Sequence, residues 1–162
     1  MRQQNLIVLV PLLLGFAGPG LTSCMGNEQP PPIVFDPQHL NREIALEAPA
    51  FFNDFKTASS VGLKLRSDSP NEIVFPTNYD LRVFSRTDSG WDEIGEKPTE
   101  RYPPGEVIFP PAAAPATRTV TLFPNLPDER HAYNLRIYVF GEMKTQSQQV
   151  PVAAFVDVLL HP

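Results

Sequence analysis

Cysteine is almost absent from this sequence: Cys24 is the single cysteine among 162 residues. An internal disulfide needs two cysteines, so a disulfide framework is excluded, and beyond Cys24 there is no thiol for a thiolate metal site. The chain also has no glycine-rich phosphate loop, no dinucleotide-binding fingerprint and no nucleophile elbow. The fold must therefore be stabilised by packing, and we predict no cofactor.

Positive charge is also scarce. The chain has 13 lysines and arginines against 18 acidic residues, which gives a net charge of −5. Such a surface does not attract nucleic acid or anionic lipid by bulk electrostatics, so we predict no nucleic-acid partner.

Histidine is too sparse to suggest a metal site, because no two of the three histidines have the spacing of a ligand pair: His39, His131 and His161. Several acidic side chains follow one another in a predicted hairpin region, namely Asp88, Asp92, Glu93, Glu96 and Glu100. They could gather around calcium, but the alternating positions of a known calcium loop are missing, and a solvated hairpin end is the alternative. We predict no metal site and no catalytic residue. A metal-dependent hydrolase remains the weakest alternative.

The first 24 residues have the anatomy of an export signal. Arg2 precedes an apolar run at 6–16, which is shorter than the roughly 20 residues of a membrane-spanning helix. The following "LTSC", residues 21–24, resembles the lipobox of bacterial lipoproteins. That resemblance implies cleavage after residue 23 and lipid attachment to Cys24, which would place the protein outside the cytoplasm on a membrane. An ordinary secretory signal and a cytosolic protein with an apolar N-terminus remain the alternatives.

The rest of the chain is predicted to form a short tether and one domain. Residues 24–32 are polar and rich in proline, which is typical of a semi-rigid spacer. Residues 33–162 have the length of one domain with a single core. Prolines fall between short apolar runs throughout this part, a pattern that favours short strands over long helices.

Alternation of apolar and polar residues predicts a β-sandwich. Its strands are expected at 61–66, 72–75, 80–86, 91–94, 106–109, 118–123, 133–140 and 152–160. Short irregular joints and the lack of a repeat favour two packed antiparallel sheets over a propeller or solenoid. Residues 36–49 are ambiguous, because Asp36 and Pro37 favour the start of a short helix while Ile44 and Leu46 alternate as in a strand.

The run at 119–141 resembles the region between strands E and F of fibronectin type III and related immunoglobulin-like domains. Leu126, Pro127 and Tyr133 match that pattern, although the leucine-to-tyrosine spacing is one residue longer and the usual early tryptophan is missing. The resemblance implies an immunoglobulin-like sandwich of about seven to eight strands. It also implies that the Tyr133 hydroxyl bonds to the backbone near residues 126–130. With the lipobox, the layout is similar to uncharacterised bacterial lipoproteins, which offer no catalytic residues to transfer.

Two predicted strands share an unusual outward face. If Val83 and Ile137 point into the core, the opposite face carries arginine and aromatic side chains, namely Arg82, Phe84, Arg86, Arg136, Tyr138 and Phe140. Phe155 and Leu159 fall on the outward face of the last strand. Such a surface is typical of interfaces, so we predict that it binds a protein or glycan partner. Burial beneath residues 33–55, with Phe35, Phe51, Phe52 and Phe55, is the favoured alternative, because large exposed aromatic patches are rare on soluble monomers.

The predicted function is that of a non-catalytic binding or structural module of the cell envelope. An accessory subunit that pairs an exposed strand edge with a partner is the second possibility.

Overall fold

The computed structural model describes residues 30–48, 60–97, 102–111, 114–128 and 131–160. Cys24 and the predicted signal peptide lie outside these ranges, as do Glu100 and His161. The described residues form nine β-strands and no helix. The strands are β1 Ile44–Glu47, β2 Val61–Ser67, β3 Glu72–Pro76, β4 Arg82–Arg86, β5 Trp91–Glu93, β6 Glu106–Phe109, β7 Ala116–Leu122, β8 Tyr133–Lys144 and β9 Gln149–Leu160. None of the described segments is a helix long and apolar enough to cross a membrane.

The nine strands form two antiparallel sheets. The smaller has the order β1-β2-β7, and the larger is built around β8. Strand β9 pairs with one edge of β8 along its whole length. The other edge of β8 pairs first with β4 and then with β3, while β5 and β6 lie outside them. Strands β3 and β4 therefore act as one interrupted strand.

A mainly aliphatic core fills the space between the sheets. Strand β2 contributes Val61, Leu63 and Leu65, and β8 contributes Leu135 and Ile137 from the opposite side. These residues occupy alternate positions because successive side chains of a strand point to opposite faces. Burial of each is worth about 1.5–3 kcal/mol. The prediction of an all-β antiparallel sandwich is confirmed.

The predicted strands match the observed ones, but the last hairpin is longer than expected. Strands β8 and β9 include residues 141–144 and 149–151, which lie outside the predicted strands at 133–140 and 152–160. The error came from treating Pro151 as a strand breaker. Strand β9 lies at a sheet edge, and Ala153, two residues on, directs its N–H away from β8 to the His39 carbonyl. The backbone nitrogen of Pro151 faces the same way, so the lack of an N–H there removes no hydrogen bond between β8 and β9.

Residues 36–47 form one turn and a strand, so the helix alternative is wrong. The Asp36 carboxylate accepts the Gln38 N–H at 2.9 Å, which closes a single turn. Asn41 then adopts a left-handed conformation with φ of 54°. Strand β1 follows and pairs with β2, which buries Ile44 and Leu46. The tertiary pairing outweighed the local helix signal.

Candidate functional site

The outward face of the larger sheet brings the predicted residues together. Arg82 lies opposite Tyr138, and Phe84 lies opposite Arg136. The neighbouring strands extend this lattice, since Tyr138 pairs with Phe155 on β9. Arg136 pairs with Asp157, and Arg86 pairs with Trp91 on β5. The predicted juxtaposition of the two arginine-aromatic strands is therefore present.

The aromatic centre of this face is buried, as expected from burial beneath residues 33–55 and not from an exposed patch. Phe84 is 5% exposed, Tyr138 is 1% exposed and Phe140 is half-buried. The Tyr138 ring lies 5.9 Å from the rings of Phe84 and Phe140 and 5.4 Å from that of Phe155. Burial raises the pKa of the Tyr138 hydroxyl. These rings form a second packed layer outside the sandwich.

Residues 31–41, here called the strap, cover this layer. The strap is fastened to the edge of β9 by three bonds: the Asn41 N–H donates to the Ala153 carbonyl at 2.9 Å, the Ala153 N–H to the His39 carbonyl at 3.1 Å, and the Phe155 N–H to Asn41 Oδ1 at 2.8 Å. The Phe35 ring lies 6.0 Å from that of Phe140. The other phenylalanines proposed as cover, Phe51, Phe52 and Phe55, lie outside the described residues.

Arg136 is held rigidly on this face. Its guanidinium lies 4.9 Å from the centre of the Trp91 ring and 4.6 Å from that of Phe155. It donates two hydrogen bonds of 2.6 Å to the Asp157 carboxylate, and this pairing raises the Arg136 pKa. Two aromatic faces and a bidentate partner fix both the position and the charge of the guanidinium.

Arg82 also has its own partner. It donates hydrogen bonds of 2.8 and 2.5 Å to the Glu93 carboxylate, and the arginine lowers the pKa of that carboxyl group. Both side chains are well exposed, so the pair contributes less than about 1 kcal/mol to stability.

The strap leaves part of the outward face open. A pocket of about 600 Å³ lies between the strap and the sheet, lined by strap residues including Ile33 and Val34 and by Arg86, Trp91, Arg136, Tyr138, Phe155 and Asp157. A second depression of about 280 Å³ shares four of these residues and extends to Leu159. We call the two together the groove. Arg86 is exposed within it and makes no ion pair with any described residue.

Sequence reasoning missed Trp91 and Asp157 as members of this face. The turn at 87–90 offered a signal, because it joins two strands in a hairpin and so places Trp91 opposite Arg86. Asp157 could not be assigned in this way, because its role depends on which residue of β8 lies beside it. The Trp91 Nε1–H is buried and has no acceptor among the described residues.

The remaining predicted residues lie elsewhere. The Tyr133 hydroxyl donates to the Asp128 carbonyl at 2.9 Å and accepts the Asp128 N–H at 3.0 Å. His39 bonds to Glu43 and His131 to Asp128. No group of three or more potential metal ligands occurs in the described ranges.

Glu96, from the acidic run, contacts the residues that follow the smaller sheet. Its carboxylate accepts the Phe123 N–H at 3.1 Å and lies 3.1 Å from the Tyr102 hydroxyl. Burial raises the pKa of this carboxyl group.

The chain matches no protein-family model, no curated protein and no solved structure.

Proposed function

We propose that this protein is a lipid-anchored, non-catalytic binding module of the bacterial cell envelope, and that it recognises a partner through the groove. The proposal rests on the part of the larger sheet's outward face that the strap leaves open. There Arg86 and Trp91 line a concave surface whose floor is held rigid by Arg136 and Asp157. Rigid aromatic and arginine side chains in a concavity are the usual anchors of protein interfaces.

The strand order supports an immunoglobulin-like domain of the fibronectin type III kind. Strands β1, β2 and β7 occupy the positions of A, B and E in one sheet. In the other, the interrupted β3–β4 corresponds to C, and β8 and β9 correspond to F and G. Tyr133 is the first residue of β8, and its two bonds to Asp128 are those of a corner tyrosine at the turn from E to F. Folds of this type carry many unrelated functions, so the proposed binding role rests on the groove and not on the fold.

The lipobox supports a lipid anchor close to the groove. Only five residues lie between Cys24 and residue 30, where the described part begins. A fully extended chain spans at most about 3.5 Å per residue, so residue 30 would lie within about 20 Å of the lipid surface. The partner would then be a membrane component or a protein working next to the membrane.

Replacement of the proposed lipidation residue tests the anchor. Cys24→Ser should abolish incorporation of a labelled fatty acid, because serine cannot form the thioether, while the domain keeps its β circular dichroism. Ser23→Ala, a small residue at the neighbouring position, is the matched control and should still be labelled. A Cys24→Ser protein that remained labelled would contradict the anchor.

Capture from envelope extract tests the binding role. We expect the protein to retain a defined partner that is lost from Arg86→Glu and Trp91→Ala proteins. Lys64→Glu is the control, because it makes the same charge change on an exposed position of the other sheet. If both groove variants retained the same partner at wild-type yield, the groove would not be the binding surface.

Strand-edge pairing is a second candidate function, favoured by the free edge of β9. Beyond the strap, the outward backbone groups of Asp157 and Leu159 have no strand partner among the described residues, and Leu159 is 47% exposed. Such an edge can accept an extended strand from a partner. Leu159→Pro would remove one outward N–H, as Pro151 already does nearby, and Leu159→Ala is its control. Loss of capture by the proline variant alone would favour edge pairing.

A further inference from the structure

We infer that the groove binds an extended acidic peptide segment of a partner protein, with a carboxylate at Arg86 and apolar side chains along the groove. This inference rests on the proposed binding function and names the chemistry of the partner. It goes beyond that function because the groove alone does not say whether the partner is a protein or a glycan.

The charges in the groove point to an anion. Arg136 and Asp157 neutralise one another through two hydrogen bonds of 2.6 Å. Arg86 is the remaining charged side chain of the lining, and no carboxylate among the described residues pairs with it. The groove therefore offers one uncommitted guanidinium on a protein whose net charge is −5. A carboxylate can meet such a guanidinium with two parallel hydrogen bonds.

The polar groups of the groove fit a peptide better than a sugar. A sugar ring presents several hydroxyl groups, and each needs a donor or an acceptor when it leaves water. Here the best-placed polar side chains are not available, because Arg136 and Asp157 bond to each other and Tyr138 is only 1% exposed. Besides Tyr138 and the buried indole N–H of Trp91, Asn134 is the neutral polar side chain that lines the groove. Few groups are thus left to pair with hydroxyls.

Apolar side chains at the margins of the groove favour a peptide with apolar residues beside its acid. On the strap, Val34 is 93% exposed, and on β9 the Leu159 side chain stands on the same face. Exposed aliphatic residues of this size gain about 25 cal/mol for each square ångström that a partner covers. Trp91, next to Arg86 on the neighbouring strand, provides an aromatic surface between them.

Selection from a peptide library tests the inference. The whole chain, purified from membranes in mild detergent, would be panned against phage-displayed random dodecapeptides. We expect enriched peptides to carry Asp or Glu beside apolar residues. Their Kd should rise about tenfold on Arg86→Gln, because a partly desolvated charge pair is lost, and should not change on Lys64→Gln, which removes a positive charge from the other sheet.

A double-substitution cycle locates the carboxylate. Replacing the peptide's acid by its amide should weaken binding to the wild-type protein by the same factor, but should have no further effect on Arg86→Gln. Enrichment of peptides without an acid would overturn the inference, as would an acid dependence that survives Arg86→Gln.

Other results separate this inference from the proposed function. Failure to enrich any peptide, or retention of an acidic polysaccharide such as alginate in place of peptides, would overturn the acidic-peptide chemistry. If capture of an envelope partner still required Trp91 in that case, the binding function would stand. If the groove variants and the wild type captured the envelope partner equally well, the proposed function itself would be contradicted.

Discussion

The two faces of the larger sheet are covered in different ways. On the inner face, aliphatic residues such as Val83 and Ile137 meet another sheet. On the outer face, Phe84 and Tyr138 pack among aromatic rings under the strap, which carries no strand of its own. The comparison shows that a face rich in arginine and aromatic residues can be largely buried. Its function then resides in the part that the cover leaves open.

The covers of the two faces also differ in how they are held. The smaller sheet covers the inner face through three paired strands, whereas the strap is fastened at the edge of β9 by a few bonds around Asn41. The outer layer should therefore be as well packed as the inner core at its centre but easier to open at its margin.

The largest expected effect comes from truncating one residue on each face. Ile137 and Tyr138 are neighbours on β8, point to opposite faces, and are 0% and 1% exposed. Ile137→Ala should lower the free energy of unfolding by about 2–5 kcal/mol, and Tyr138→Ala by about 3–5 kcal/mol, because each leaves a buried cavity. Urea unfolding followed by circular dichroism measures both. A cost below about 1 kcal/mol for Tyr138→Ala would show that the strap does not bury the outer layer in solution.

A smaller effect is expected where β8 changes partner from β4 to β3. A Cβ at Gly141 would lie 2.7 Å from the Phe75 ring, so Gly141→Ala should destabilise by about 1–3 kcal/mol through overpacking. Gly62 on β2 has open space around the same position, and Gly62→Ala should instead stabilise by about 0.5–1 kcal/mol.

Thermal unfolding of Gly141→Ala and Gly62→Ala measures the two opposite stability changes. The double variant Gly141→Ala with Phe75→Leu should recover part of the stability that Gly141→Ala loses. Equal melting temperatures for Gly141→Ala and the wild type would contradict the crowding of the inner face at this point.

The strap is expected to respond to a single side chain. Asn41→Gly retains the left-handed backbone but removes the Oδ1 acceptor of the Phe155 N–H, so it should cost about 1 kcal/mol. Asn41→Ala should cost about 0.5–1 kcal/mol more, because alanine resists this conformation. Hydrogen exchange of the Phe155 amide should accelerate in both variants. Unchanged exchange there would mean that the strap is not fastened through Asn41.

The smallest effect concerns the contact of Glu96 with the residues that follow the smaller sheet. Burial raises the pKa of this carboxyl group above its usual value of 4.5, so the folded protein holds the proton more tightly than the unfolded chain. The free energy of unfolding should therefore fall as the pH rises from below 4.5 through the raised pKa, and stay level above it.

Glu96→Gln removes this ionisation, so its stability relative to the wild type should increase between pH 4 and pH 7, as urea unfolding at each pH would measure. A relative stability that decreased over that range would contradict the buried environment of the carboxyl group.

Much of the fold could be predicted from the period-two alternation of apolar residues. Strand β6, Glu106–Phe109, matches the expectation at both ends, and the inward positions of Val83 and Ile137 were assigned correctly. The strap could not be found in this way. Alternation says which face a side chain points to, but not what lies over that face. The bonds that fasten the strap to β9 join residues more than 100 positions apart.

The groove was predicted only in part for the same reason. Arg86 and Arg136 were selected from the outward positions of two strands. The contacts that hold the Arg136 guanidinium are made by Trp91, Phe155 and Asp157, which lie on two further strands. Which arginine remains free depends on that pairing. From the sequence, Arg82, Arg86 and Arg136 are equally good candidates for binding a partner. In the structure, Arg82 and Arg136 pair with carboxylates, and Arg86 pairs with none among the described residues.

Trp91 allows the most direct measurement, because it is the single tryptophan of the chain and lines the groove. An acidic peptide selected on the protein would be titrated while the Trp91 emission is recorded. We expect a saturable change in emission for the wild type and Lys64→Gln, with the midpoint displaced about tenfold in Arg86→Gln. Saturable binding that leaves the Trp91 emission unchanged and does not depend on Arg86 would place the binding surface elsewhere and contradict the account.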